Sequence, residues 1–258
     1  MISNLILTRQ PCPSMAAAEL THLDRIPIDM DRARAQHTAY CAALAATGAE
    51  LVTLPALADH PDCVFVEDVL LALPECFVLT RPGAASRRGE VVHMEAALPA
   101  DRPVARLADP ATLDGGDVKR VGKQIFVGRS NRTNAAGIAA LADIVVPFGY
   151  SVSGVDLRGA LHLKTAVTAL ASDLLLVNSG WLKPGLFDGW AQIEVAPDEP
   201  FAGNHVSVNG KIFMAAAHPK TAARIAAAGF DVTLLEVDEF AKAEGGLTCM
   251  SVIVPQIS

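Results

Sequence analysis

Four short turns impose a repeat that few folds can accommodate. Pro74-Glu75, Gly122-Lys123, Ser172-Asp173 and Asn209-Gly210 each lie between two apolar, β-prone runs, and they are spaced 48, 50 and 37 residues apart. Asn-Gly is the strongest of these hairpin signals, because both residues reach positive φ at little cost. After the turns at 74, 122 and 209 a helical pattern follows, over 87–98, 134–142 and 219–228. Outgoing strands are expected over 104–107, 152–155, 192–195 and 232–236. A period near 50 residues, built of hairpin, helix and strand, points to radial repetition within one domain. A strand over 4–8, a helix over 29–48, a strand over 51–54 and a last strand ending near 254 supply a fifth unit within the 258 residues. The expected architecture is α/β: a single domain over 1–258, five units in a ring around a central depression suited to a small ligand. An open mixed α/β sheet is the alternative.

Composition narrows the partners. Hydrophobic residues make up 51% and charged residues 19%, a balance typical of a folded chain. A net charge of −7 and a pI near 5.5 argue against nucleic acid, whose phosphates require concentrated Lys and Arg. The five cysteines are odd in number and lack any CxxC pair, so neither a disulfide framework nor a zinc site is expected. The start, MISNLILTRQP, is cut by Arg9 and Pro11 and does not read as a signal peptide. No stretch reads as a membrane span, and the cytoplasm is the expected compartment. Walker A, GxGxxG and HExxH motifs are absent, which leaves nucleotide and zinc-protease chemistry without an anchor.

Chemistry-bearing residues interrupt apolar passages in several places. EGGLTCMSVIV sets Cys249 after two glycines and before a final strand, a place for a nucleophile, although an isolated Cys there is commonly a small buried hydrophobe. The glycines are read as allowing a sharp turn and close approach to a ligand. PDCVFVEDV groups Asp62, Glu67 and Asp68 around Phe65; solvated acids at a strand end are the plain reading, a cation partner the functional one. RPGAASRRGE carries Arg81, Arg87 and Arg88, which suit either a solvated helix start or a carboxylate. LDGGDV places Asp114 beside two glycines, and GRSNRTN places Arg129 and Arg132 before a helix they could cap. LHLKTA sets His162 between leucines, as in a core histidine or in a shielded general acid and base. A thiol with an imidazole suggests covalent attack on an electrophilic carbon. Acids suggest that the carbon is cationic and arginines that the far end is a carboxylate, a pair of demands an arginine-like amino acid meets.

With these motifs in hand, the sequence resembles the dimethylarginine dimethylaminohydrolases of the guanidine-modifying superfamily. FVEDV, TRPGAASRRGE, LDGGDV, VGRSNRTNAAG, LHLKTAV and GGLTCMSV follow in family order from the first quarter of the chain to its C-terminus. The resemblance implies a five-bladed α/β propeller (pentein fold) and hydrolysis of Nω-methylated arginines to citrulline and dimethylamine or methylamine. No metal or organic cofactor is implied. It further implies Cys249 as nucleophile, His162 as general acid and base, and Asp114 as the acid orienting that histidine. Glu67 and Asp68 would line the guanidinium pocket, and Arg87 and Arg132 would grip the α-carboxylate. Asp62 and the main chain of Leu20, on a lid-like loop, would receive the amino end, Phe65 would pack on the substrate stem, and Ala243 would offer a main-chain contact. Asp114 stands where some relatives carry Glu, and His205 where several carry Cys. The implied partner is the small-molecule substrate, with neither nucleic acid nor membrane, and a homodimer is one assembly open to the chain. Arginine deiminase activity and a non-catalytic binding module of the same fold are the alternatives. Deiminases of this superfamily are longer, and a binding module has no need of both Cys249 and His162.

Overall fold

The structure, a computed structural model, describes residues 4–257; Met1 to Ser3 and Ser258, which belong to the expected domain, lie outside the described residues. β1 (Leu5–Arg9), α1 (Met30–Ala45) and β2 (Glu50–Leu54) come first, with β2 parallel to β1. Then the expected unit begins. β3 (Leu70–Ala72) and β4 (Phe77–Leu79) form an antiparallel hairpin, α2 (Glu90–Glu95) crosses over, and β5 (Val104–Arg106) returns parallel to β4. β6 (Val118–Val121), β7 (Gln124–Arg129), α3 (Ala135–Val145) and β8 (Ser151–Asp156) repeat that order. α4 (Leu163–Ala166) leads into β9 (Val167–Ala169) and β10 (Leu174–Val177), and β11 (Ala191–Glu194) returns after only a 3-10 turn at Ser179–Trp181. β12 (His205–Val208), β13 (Lys211–Ala215), α5 (Pro219–Ala227) and β14 (Asp231–Leu235) form the last full unit. After α6 (Asp238–Ala241), β15 (Ser251–Val254) pairs antiparallel with β1 and so replaces the missing hairpin strand of the first sheet.

Among the described residues the result is five three-stranded sheets. Their arrangement is a ring, because a cavity of about 260 Å³ is walled by β3, β6, β9, β12 and β15, one strand from each sheet. This settles the architecture as the five-unit α/β ring and not the open sheet. Local chemistry explains the boundaries. Asn209 and Gly210 take φ of 49° and 83°, as a two-residue hairpin turn requires. Asp29 caps α1 by accepting from the N–H groups of Asp31 and Arg32, and Asn134 caps α3 through Gly137 N–H, each cap worth about 1 kcal/mol. Between sheets and helices the apolar faces close into buried clusters, such as Tyr40 and Leu44 of α1 with Phe213, Phe240 and Met250. Burial of that kind supplies most of the folding free energy.

The helix expected over 87–98 is shorter at both ends. Arg87 belongs to a separate 3-10 turn, Ala85–Arg87, which turns its side chain into the protein interior. Ala166, which opens the apolar run before Ser172-Asp173, closes α4 and does not start a strand.

Candidate active site

Each inner strand is entered through a short turn, and those turns carry the candidate residues. Glu67 and Asp68 lie in the 3-10 turn Val66–Val69 before β3, and Asp114 sits at the start of the turn Gly115–Asp117 before β6. His162 is the residue before α4, Asn204 directly precedes β12, and Cys249 lies in the turn Thr248–Met250 before β15. A radial fold thus collects at one end of its axis residues far apart in sequence.

His162 is held between acids. Its Nε2 is 3.1 Å from Asp114 Oδ2, and its Nδ1 is 3.9 Å from Asp68 Oδ1. Asp114, with no exposed surface, also accepts from Gly83 N–H at 2.9 Å, while Asp68 accepts from Gly116 N–H at 3.0 Å. Gly116 must be glycine, since a Cβ there would stand 2.6 Å from His162 Nδ1. Burial alone would lower the imidazole pKa; the fields of Asp68, Asp114 and Asp117 outweigh it and raise the value to about 9. The ring is therefore a cation at neutral pH. Asp68, Asp114 and His162 bring ligand-type atoms within 4.8 Å of one another, but protein donors already occupy both carboxylates, so the set reads as a charge-paired imidazolium.

That pairing predicts a pH dependence of stability. The folded protein keeps a proton on His162 that the unfolded chain releases near pH ~6.5. The stabilisation is fully present below that pH and is lost as pH rises toward about 9. The unfolding free energy of the ligand-free protein is expected to fall across this window in denaturant titrations. His162→Gly should flatten the slope, and an unchanged slope would rule His162 out as its source.

Cys249 is 8% exposed and accepts a hydrogen bond from Gly246 N–H at 3.3 Å. Burial first, then the charges of Glu67 and Asp68, push its thiol up to about 12, so it is neutral in the ligand-free protein. Glu67 is itself fixed: one oxygen takes Lys164 Nζ at 2.7 Å and the other the Thr248 hydroxyl at 2.7 Å. Asn204 grips the same turn, accepting from Thr248 N–H at 3.0 Å. The two glycines before Cys249 differ from their expected role. Neither has positive φ; the left-handed residue is Glu244, at 57°. Instead, a Cβ on Gly245 would lie 2.2 Å from the Phe65 ring and one on Gly246 2.5 Å from the Asn204 side chain. They are required for close packing, with Phe65 buried against this loop and Phe240.

The expected carboxylate and amine contacts are less uniform. Arg87 is buried, and its guanidinium is fully engaged with Asp68 at 2.5 Å, both Glu90 oxygens and the carbonyl of Phe65. An α-carboxylate would reach it only by displacing one of these partners, a departure from the expected grip. Among the described residues the Arg132 guanidinium, by contrast, donates only to the hydroxyl of Thr21, at 2.9 Å. Asp62 accepts from Glu19 N–H, and burial raises its carboxyl to about 6. Both contacts lie on the loop that carries Leu20, which is half-buried among exposed neighbours. Ala243 is buried directly before Glu244. The remaining arginines are structural: Arg81 pairs with Asp109, Arg88 donates to the Pro82 carbonyl and Arg129 pairs with Asp156.

Several contributors went unassigned in the sequence. Glu244 accepts from three consecutive lid N–H groups, those of Thr21, His22 and Leu23, at 3.0, 2.5 and 2.7 Å. It joins the lid to the loop that carries the thiol. Glu244→Gln removes the charge and one acceptor oxygen, and a loss of about 1 kcal/mol, the difference between a charged and a neutral acceptor, predicts lid amides exchanging on the order of fivefold faster. Unchanged exchange at Thr21 to Leu23 would exclude this latch. Lys164, Asn204 and Thr248 were missed because their roles depend on contacts between units; only the nearness of Lys164 to His162 gave a signal. His205 bridges sheets, its Nε2 donating to the Ala169 carbonyl at 3.2 Å and its Nδ1 lying 2.5 Å from the Thr168 hydroxyl.

Among the described residues no helix is long and apolar enough to cross a membrane. No protein-family model matches the chain. It is 40% identical over 262 residues to an N(G),N(G)-dimethylarginine dimethylaminohydrolase of Streptomyces coelicolor, covering 98% of this chain and 97% of that one. It is 36% identical over 249 residues to the enzyme of the same name from Pseudomonas aeruginosa, covering 95% and 97%. A mutant of the Pseudomonas aeruginosa enzyme complexed with citrulline superposes with a TM-score of 0.93 at 34% identity, covering 98% of this chain and all 100% of that one. The N-terminal domain of a cyanobacterial arginine dihydrolase shares the fold, with a TM-score of 0.84 at 22% identity over 99% of this chain and 100% of that domain.

Proposed function

The chain belongs to the dimethylarginine dimethylaminohydrolase family, and from that premise we propose that it hydrolyses Nω-methylated arginines to citrulline and dimethylamine or methylamine. One observation carries the assignment of roles: the Val66–Val69 turn places one carboxylate, Glu67, on the thiol's turn and its neighbour, Asp68, against a cationic imidazole. A neutral nucleophile beside two acids awaits a cation.

A guanidinium entering among Glu67, Asp68 and Asp114 supplies that charge. Its field lowers the pKa of the Cys249 thiol, whose proton leaves to solvent, and the acids orient the planar group so that its carbon faces Sγ. Thiolate attack forms the C–S bond. His162, already protonated, gives its proton to the departing amine as the C–N bond breaks, leaving a covalent thiouronium. The imidazole, now neutral, takes a proton from water as the oxygen attacks the same carbon; as the C–S bond breaks, the remaining hydroxyl proton leaves to solvent, and citrulline and thiolate are released. Arg132 takes the substrate carboxylate, Arg87 positions Asp68, Asp62 and the main chain of Leu20 and Ala243 receive the amino end, and Phe65 supports the stem. Because Arg132 and Asp62 hold the lid in the ligand-free state, substrate exchanges with lid contacts as it binds.

Citrulline formation from asymmetric dimethylarginine, monomethylarginine and arginine, compared side by side, tests the reading. Methylated substrates should have the higher kcat/KM; preference for plain arginine would shift the assignment to a deiminase. Arg132→Ala should raise KM by about 10- to 100-fold, the weight of a charged hydrogen-bond pair, and change kcat little. An unchanged KM would move the carboxylate site elsewhere.

A further inference from the structure

Neither Cys249 nor His162 lines the axial cavity of about 260 Å³, which runs along the five inner strands. Its wall includes Lys119 on β6, Lys164 on α4 and Ser207 on β12. Lys164 is neutralised by Glu67 at 2.7 Å. Lys119 is not: its ammonium makes no hydrogen bond or ion pair with any described residue, although it is half-buried in the wall. The Ser207 hydroxyl likewise makes no hydrogen bond with any described residue. His205, in the same wall, adds no charge, because burial lowers its pKa to about 3 and both ring nitrogens are engaged. In a protein of net charge −7 this leaves a local excess of positive charge in a recess with room for a small ion and its waters.

We propose that this recess is an anion site, in which a tetrahedral oxyanion sits between the Lys119 and Lys164 ammonium groups and accepts from the Ser207 hydroxyl. Sulfate, phosphate and the head of a phosphate ester share the required chemistry. A charge taken out of bulk water is costly without a counter-ion: burial first and then repulsion from Lys164, partly offset by Glu67, lower the Lys119 pKa to about 7. An anion relieves both effects. The groups facing the site are Lys119, Lys164, Arg120, Glu67 and His205; of these, Lys119 is the one with a shifted value inside the neutral range. The inference does not depend on the proposed reaction, since binding is read without turnover.

Calorimetric titration with sulfate, at constant ionic strength in chloride, tests the site on the full chain. Saturable one-to-one binding is expected, retained in Lys183→Met, an exposed control. In Lys119→Met binding should weaken on the order of tenfold or more, the weight of a charge-assisted contact. Equal binding in Lys119→Met, or no saturable binding to the parent, overturns the proposal. Should that variant fail to fold, the parent alone decides. Sulfate keeps its charge from pH 6 to 8.5, so its affinity must fall as Lys119 loses its proton, and a flat profile overturns the site. Parallel titrations with inorganic phosphate and phenyl phosphate separate the sources: equal affinity means that only the phosphoryl head is read, and loss of the ester means that the recess takes the free ion.

Discussion

Cys249→Ser is expected to reduce citrulline formation at least about 10³-fold while leaving the thermal midpoint near that of the parent. The hydroxyl is a close steric match and can still accept from Gly246 N–H, so the 3-10 turn into β15 has no reason to move. Chemistry is another matter. A thiol already pushed up to about 12 can be brought within reach of ionisation by a bound cation, whereas an alcohol starts several units higher and beside the same two acids. Steady-state assays decide the point. Turnover within tenfold of the parent would remove the covalent step.

For His162→Gly the expected loss is about 10²- to 10⁴-fold, the usual weight of a positioned general acid, and it should fall on the release of amine. The amine is a poor leaving group unless protonated, and His162 is the acid that the site holds in place between Asp68 and Asp114. Substrate analogues with good leaving groups should therefore still form the thiouronium adduct with the thiol in this variant. Rapid-quench mass spectrometry would then find a stable adduct, because the base for water attack is also gone. Normal amine release without His162 would transfer the acid role elsewhere. Removing the imidazolium also takes from the buried Asp68 one of the two cations that hold its carboxyl low, and leaves it Arg87 alone.

Much of the fold was legible because its signals are local. Asn209-Gly210 announces a hairpin through its own backbone preferences, and Gly48 and Gly229 end their helices with φ of 82° and 94°. The apolar runs on either side of the turns at 74, 122, 172 and 209 pair as antiparallel strands. Where local and tertiary demands diverged, the expectation slipped. Arg87 has an acceptable helical sequence around it, yet buried acceptor groups on Asp62, Asp68, Glu90 and Phe65 draw it inward and shorten α2. In the site, residue types were readable from chemistry, but pairings were not. Nothing in EGG says that Glu244 will hold the backbone of residues twenty places from the start of the chain, and nothing in LDGGDV says that Gly116 is empty to admit an imidazole. Such facts exist only once the ring has closed.

Glu67 and Asp68 are neighbours on one stiff turn, and each answers to a different half of the reaction. The nucleophile and the proton donor are therefore geared to a common shaft. A substitution that rocks this turn to improve one must detune the other, so paired changes across positions 67, 68, 162 and 249 should show large coupling energies in double-mutant cycles. Adaptation to a new guanidine is accordingly easier at the lid and the rim, where parts turn freely, than at the hub.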